Sequence, residues 1–96
     1  MEQIKITDEL FYIGESLQFK DAYIEYDIKE DVLIIRHTEV NKRLRGQGIG
    51  VTLIEAVVEH AREKGYLVHS TCGYASAILK KRSDLNDVLS IRDTSV

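Results

Sequence analysis

Apolar side chains recur at every second position in the first third of the chain and at every third or fourth position in its middle. Ile4, Ile6 and the run Leu10 to Ile13 predict one or two short strands broken at Asp8-Glu9. From Ala22 to Ile28 the alternation is regular, with Ala22, Ile24, Tyr26 and Ile28 on one face. Lys29-Glu30-Asp31 is a polar break. Val32 to Val40 then reads as a strand, apolar on both faces at its start, as a central strand should be. The two runs are close enough in sequence to pair as a hairpin.

Asn41 to Gly50 is a basic, glycine-rich loop. After it Ile49, Leu53, Ala56, Val57 and Ala61 recur at helical spacing, with Glu55, Glu59, Arg62 and Glu63 on the other side. The spacing predicts a helix from about Gly48 to Lys64 that stops at Gly65. Tyr66 to Thr71 reads as the next strand. Tyr74 to Arg82 reads as a second helix, whose Lys80, Lys81 and Arg82 suit its negative C-terminal end. Residues 83–96 are polar and weakly patterned, a loose tail with at most a short helical turn around Asp87-Val88-Leu89. The order is β-β-β-loop-α-β-α, a strand meander followed by one βαβ crossover, which makes an α/β fold.

Ninety-six residues, 44% apolar and 30% charged, suit a single soluble domain over 1–96 and exclude a two-domain enzyme, a large barrel or a long solenoid. The longest apolar runs, Leu10 to Ile13 and Val32 to Ile35, hold four residues each. A membrane span needs about 20. Met1-Glu2-Gln3-Ile4-Lys5 lacks the basic-then-apolar order of a secretory signal. Cys72 is the only cysteine, so no intrachain disulfide forms, which agrees with a reducing compartment. The expected location is cytoplasmic, with no membrane partner.

Charge changes the picture further. Residues 1–35 carry nine acidic and three basic side chains, whereas residues 36–50 carry Arg36, Lys42, Arg43 and Arg45 against Glu39 alone. The whole chain has a net charge of −3. A basic island in an acidic chain argues against a broad nucleic-acid-binding face, which needs a widely basic domain. Two readings stay open: a small local anion site, or a solvated loop whose charge only aids solubility.

The loop chemistry favours the anion site. In Arg45-Gly46-Gln47-Gly48-Ile49-Gly50 the alternate glycines remove side chains, so main-chain N–H groups can approach a ligand closely. The helix that follows adds free N–H donors and the positive end of its dipole. Phosphate suits such a place. Arg43 and Arg45 bring the mobile positive charge that a pyrophosphate wants. A Walker A loop would end Gly-Lys-Ser/Thr, but Val51 and Thr52 follow Gly50. The dinucleotide fingerprint from Gly46 would need glycine at 51, where Val51 stands, and only one βαβ unit is present.

The pattern that does fit is R-x-x-G-x-G, met by Arg45, Gly48 and Gly50. Here the sequence resembles the GNAT superfamily of acetyl-CoA-dependent N-acetyltransferases, and more narrowly its very short members. Those carry His-Thr-Glu-Val before the loop and Cys-x-Tyr after the next strand, matched by His37-Thr38-Glu39-Val40 and Cys72-Gly73-Tyr74. The resemblance spans roughly residues 10–90. It implies a mixed, mostly antiparallel sheet with a βαβ unit and helices packed on it.

The resemblance also implies roles. Acetyl-CoA would lie where the strand before the loop splays from the next strand, its pantetheine arm pairing as an added strand does. Thr38, Glu39 and Val40 would line the arm. Arg43, Arg45, Gly46, Gln47, Gly48, Ile49 and Gly50 would hold the pyrophosphate. Glu39 sits where some members place a base or a water-holding carboxylate, and His37, two residues away, shares its face of the strand. Cys72 is the first candidate for chemistry, as a thiol that accepts the acetyl group, with a buried structural thiol as the alternative. Tyr74 is a candidate acid for the departing thiolate, or simply an aromatic at a helix start. The short members often have proline where this chain has Asn41 and Gly73, and Gly73 loosens the helix start at Cys72. The segments that wrap the acceptor in larger members are missing, so an open cleft is expected.

The function so implied is acetyl transfer from acetyl-CoA to an amine of unidentified source, small molecule or protein. The alternative is a non-catalytic acetyl-CoA or CoA binder or sensor. No metal and no nucleic-acid partner is expected, and the chain should be a monomer or weak dimer.

Overall fold

The computed structural model describes residues 3–89. Its elements run β1 (Lys5–Ile6), β2 (Leu10–Gly14), β3 (Lys20–Lys29), β4 (Val32–Val40), a 3₁₀ turn (Lys42–Leu44), α1 (Ile49–Lys64), β5 (Leu67–Ser70), α2 (Gly73–Lys81) and a 3₁₀ helix (Ser83–Val88). The strands form one five-stranded sheet in sequence order. The first four are antiparallel neighbours, and β5 joins β4 in parallel. This is the mixed, mostly antiparallel sheet the sequence led us to expect, with its one parallel pair spanned by α1.

The β3–β4 hairpin closes on Lys29↔Val32. Its two turn residues, Glu30 and Asp31, have φ of 53° and 65°. Paired left-handed residues match the twist of a two-residue hairpin, a position usually given to Asn-Gly. The polar break is therefore shorter than the sequence indicated, because Lys29 still belongs to the strand.

Alternation along β3 buries Ala22, Ile24 and Tyr26. Leu33 and Ile35 of β4 and Val68 of β5 join them beneath Leu53, Ile54, Val57, Val58 and Ala61 of α1. Each Val, Leu or Ile side chain so taken from water contributes roughly 1.5–3 kcal/mol. α2 lies beside α1 on the same face, where the Arg82 guanidinium meets the Glu55 carboxylate at 2.9 Å. The opposite face carries Tyr23, Glu25, Asp27, His37 and Glu39, none of them buried.

One correction concerns the C-terminal segment. Residues 83–89 are packed: Leu85 and Val88 are buried in the core, and Leu89 bridges to Val68 at the outer edge of β5. The polar residues of this segment hid a single apolar pair, Leu85 and Val88, one 3₁₀ turn apart and too short to read as a periodic stripe. Residues 90–96, the rest of the expected tail, lie outside the described residues.

The feature that positions a site is a fork. β4 and β5 pair only over Val32–Ile35 and Leu67–Ser70. Their last link is the Thr71 N–H donating to the Ile35 carbonyl at 2.9 Å. Beyond it β4 runs on to Val40 beside β3 alone. The β3–β4 register slips at the same place: Tyr26 faces Ile35 and Glu25 faces His37, so Arg36 has no opposite number. A bulge of one extra residue adds twist and re-aims the strand that carries it.

Candidate active site

The bulge sorts the side chains of His37-Thr38-Glu39-Val40 by face. Residues directly paired across antiparallel strands share a face. Thr38 pairs with Ile24 and Val40 with Ala22, both buried under α1, so they point toward the helices. His37 pairs with Glu25 and Glu39 with Tyr23, on the open face. There His37 Nε2 and Glu39 Oε1 are 3.2 Å apart, with the His37 ring 6.0 Å from that of Tyr23.

Cys72 belongs to the other set. Its thiol donates to Thr38 Oγ1 at 3.6 Å, across the fork. Ser70 and Ser76 hold the turn that carries it. The Ser70 hydroxyl accepts from the Cys72 N–H at 3.2 Å and lies 3.0 Å from the Ser76 hydroxyl. These two serines were not singled out from the sequence; a serine closing a strand just before a helix start was the available signal. Cys72 is the N-cap residue of α2 and closes no regular capping bond. Burial pushes its thiol pKa up, but the N–H groups of Ala75 and Tyr74 and the hydroxyl and N–H of Thr38 outweigh that and lower it overall. Glycine at residue 73 therefore does not keep the helix start from favouring the thiolate.

From the fork a cleft of about 350 Å³ runs to the loop. Thr38, Glu39 and Val40 form one wall, Gly46, Gly48, Ile49 and Gly50 its far end, and Leu44, Arg45 and Tyr74 its rim. Leu44 was not anticipated, although an apolar residue inside a basic loop was a visible signal. Gly48 caps α1 in the left-handed conformation, with φ of 79°, and Gly46 has φ of 84°. Both conformations suit glycine, and a β-carbon at either would meet nothing within 4 Å, so their main chain is open to a ligand. Arg45 is tethered at the rim, its Nε donating to the Val40 carbonyl at 3.1 Å and its Nη2 lying 3.7 Å from Glu39 Oε2. Asn41 supplies the loop's first turn by accepting from the Arg43 N–H at 3.1 Å.

Two expected ligand residues lie elsewhere. Arg43 turns to Asp21, Nη2 to Oδ1 at 3.1 Å, and with Gln47 it lines a second hollow on the far side of the loop. The structure thus brings together Thr38, Val40, Arg45, the glycines, Ile49, Cys72 and Tyr74. It sets His37 and the Glu39 carboxylate on the opposite face of β4, and Arg43 and Gln47 across the loop. Among the described residues no group of three His, Cys, Asp or Glu side chains could hold a metal ion. No described helix is long and apolar enough to cross a membrane.

Comparison with known proteins agrees with this geometry. Among solved structures, a GCN5-like candidate N-acetyltransferase from Staphylococcus aureus, determined in solution by NMR, superposes with a TM-score of 0.78. It is 37% identical, and the match covers 92% of this chain and 87% of that one. The crystal structure of the ribosomal-protein-S18-alanine N-acetyltransferase from Escherichia coli shares the fold at a TM-score of 0.62 and 14% identity, over 80% of this chain and 53% of that one. No curated protein matches. The sequence profile described as GCN5-related N-acetyl-transferase matches residues 11–88, and over that length the chain belongs to the GCN5-related N-acetyltransferase family.

Proposed function

We propose that this chain transfers an acetyl group from acetyl-CoA to an amine, and that the β4–β5 fork is where the transfer happens. One observation carries the reading. The β4 edge loses its partner at Ile35, and the resulting cleft leads from Thr38, whose hydroxyl meets the Cys72 thiol at 3.6 Å, to the bare main chain of Gly46 and Gly48.

The residues present fit the donor. An extended arm can lie along the unpaired edge of β4 beside Thr38 and Val40, as an added strand does. Gly46, Gly48 and the start of α1 offer N–H groups and the positive helix end to a diphosphate, and Arg45 stands at the rim as counter-charge. Acetyl-CoA, when bound, supplies an activated thioester carbonyl. Cys72, with its thiolate favoured, is the chain's nucleophile for that carbonyl. The amine nitrogen then bonds to the acetyl carbon as the bond from that carbon to sulfur breaks. The open face gives the amine its approach, where the His37–Glu39 pair takes up the proton it loses. The Tyr74 hydroxyl is the acid for the coenzyme's departing thiolate.

A second reading, an acetyl-CoA binder without turnover, draws on the same geometry: His37 and Glu39 engage each other on the face opposite Cys72. Incubation of the full chain with acetyl-CoA and a panel of small amines and lysine-containing peptides, followed by free-thiol release, separates the two. Release above the buffer rate on any acceptor supports transfer, and tight binding with no release on all of them supports the binder. Mass spectrometry of the incubated protein tests the nucleophile; full turnover by Cys72→Ser with no adduct on the native protein removes that role and leaves direct attack by the amine. We further propose that the protein acts in the cytoplasm, without nucleic acid, as a monomer or weak dimer.

A further inference from the structure

We propose that the acceptor is an amine with a second positive charge, its reacting nitrogen at the fork and its second cationic nitrogen over the Tyr23 ring beside Glu25; this rests on the reading of the fork as the transfer site. On the open face Tyr23 and Glu25 stand opposite Glu39 and His37, and the Tyr23 and His37 rings are 6.0 Å apart. β4 separates β3 from the fork. A group over Tyr23 therefore lies one to two strand spacings, roughly 5–10 Å, from the transfer point. A short aliphatic chain spans that distance.

The ring already holds a cation. The β2–β3 register slips where Ile13 faces Ala22 and Gly14 faces Lys20, which leaves Asp21 without an opposite residue. The slip turns Lys20 onto the face of Tyr23, with its ammonium 5.4 Å from the ring centroid. The same ammonium donates to the Leu17 carbonyl. At an exposed site such a contact is weak. The nearby carboxylates differ in their partners. Asp27 holds Arg36 at 2.7 Å and Asp21 holds Arg43 at 3.1 Å. Glu25 is exposed and has no hydrogen bond or ion pair among the described residues. Lys20 thus meets the ring and one carbonyl but no carboxylate. A ligand ammonium that meets both the ring and Glu25 gains a full opposite charge and displaces it.

Turnover of the full chain with acetyl-CoA and three acceptors of one length tests this: 1,4-diaminobutane, 4-aminobutan-1-ol and 4-aminobutanoate. Beyond the statistical gain from its two equivalent ends, the diamine should lead the amino alcohol in kcat/KM by about 3- to 30-fold, the combined scale of one exposed cation–π contact and one exposed ion pair. The aminobutanoate should fall below the amino alcohol, and the diamine's lead should shrink as salt rises. Glu25→Gln and Tyr23→Leu should each reduce the lead toward the statistical gain alone. Lys20→Gln should lower the diamine KM. Blocked peptides with lysine before arginine or before alanine repeat the comparison with the second charge on a polypeptide. A lead in either pair supports the assignment and identifies the source of the second charge. No lead in either pair, an aminobutanoate that equals the amino alcohol, or a lead that a folded Glu25→Gln keeps overturns it. An unchanged diamine KM in Lys20→Gln overturns the displacement of Lys20. Turnover of none of these amines instead removes the transfer reading itself, and this inference with it.

Discussion

The hydroxyl end of Tyr74 lies against Gly50, so that a β-carbon at residue 50 would stand 2.5 Å from the Tyr74 oxygen and 2.9 Å from its Cε2. Gly50 lies within α1 and is not among the glycines with positive φ, so backbone freedom is not its purpose. Glycine there lowers helix stability by about 1 kcal/mol relative to alanine. Close approach explains it: the first turns of α1 and α2 meet at the rim of the cleft, Tyr74 against Gly50.

The two residues should therefore couple. Gly50→Ala in the native background has to push the half-exposed Tyr74 ring aside, which should cancel some or all of the roughly 1 kcal/mol that alanine gains in helix propensity. In a Tyr74→Ala background the same change should be neutral or stabilising by up to about 1 kcal/mol, because only helix propensity remains. Urea unfolding of the four proteins in this cycle measures the coupling. Equal effects in both backgrounds would contradict the contact.

Thiol reactivity gives a second test. Although burial raises the Cys72 pKa, the donors from Ala75, Thr38 and Tyr74 lower it overall, so more thiolate is present at neutral pH than on a free cysteine. The alkylation rate of Cys72 should reach half its maximum at a lower pH than that of a model thiol. Thr38→Val removes the 3.6 Å hydroxyl partner and should move that midpoint upward. An unchanged midpoint would mean that Thr38 does not stabilise the thiolate.

The C-terminal 3₁₀ helix should matter more than its composition suggests. Leu85 is 4% exposed, so Leu85→Ala should cost about 2–5 kcal/mol in chemical unfolding. A loss below about 0.5 kcal/mol would mean the segment is not part of the core.

That same segment should loosen in acid. Arg62 grips Asp87 through both carboxylate oxygens, at 2.6 and 3.0 Å, and Arg82 grips Asp84 at 2.8 and 2.9 Å. Hydrogen bonds from these guanidinium groups hold both carboxyls below their ordinary range. A depressed folded-state pKa stabilises the fold above the unfolded pKa, and that contribution is lost as pH falls through the folded value. Protection of the Val88 and Leu89 amides, taken relative to their intrinsic exchange rates, should fall below the ordinary carboxylate range. The Asp84→Asn, Asp87→Asn double variant should flatten that acid limb; an identical acid limb in the variant would exclude these pairs as its source.

Chemistry and binding should separate at Glu39. If the His37–Glu39 pair takes the amine proton, Glu39→Gln should lower turnover by about 10²–10⁴, the usual worth of a general base. Coenzyme affinity should change far less than turnover, the Glu39 carboxylate reaching the cleft only through its 3.7 Å pair with Arg45 at the rim. A loss confined to affinity would make Glu39 a binding residue.

The sequence by itself determined the element order, the long central hairpin and the helix ending at Gly65, because these depend on local periodicity and on glycine's access to left-handed backbone. It also disclosed the loop, since Arg45, Gly48 and Gly50 are neighbours along the chain. The distribution of the remaining groups was decided by tertiary structure. Strand spacing put His37 and Glu39 on one face but gave no means of showing that Cys72, 34 residues after Thr38, would meet Thr38 on the other. Arg43 lies in the loop but turns from the cleft, because folding brings Asp21, 22 residues earlier, within its reach. Leu85 and Val88, one 3₁₀ turn apart, share a face too short to stand out as a periodic pattern in the sequence. The β4–β5 pairing ends at Ile35 beside the register slip that leaves Arg36 without an opposite residue on β3, and both features exist only relative to the neighbouring strands.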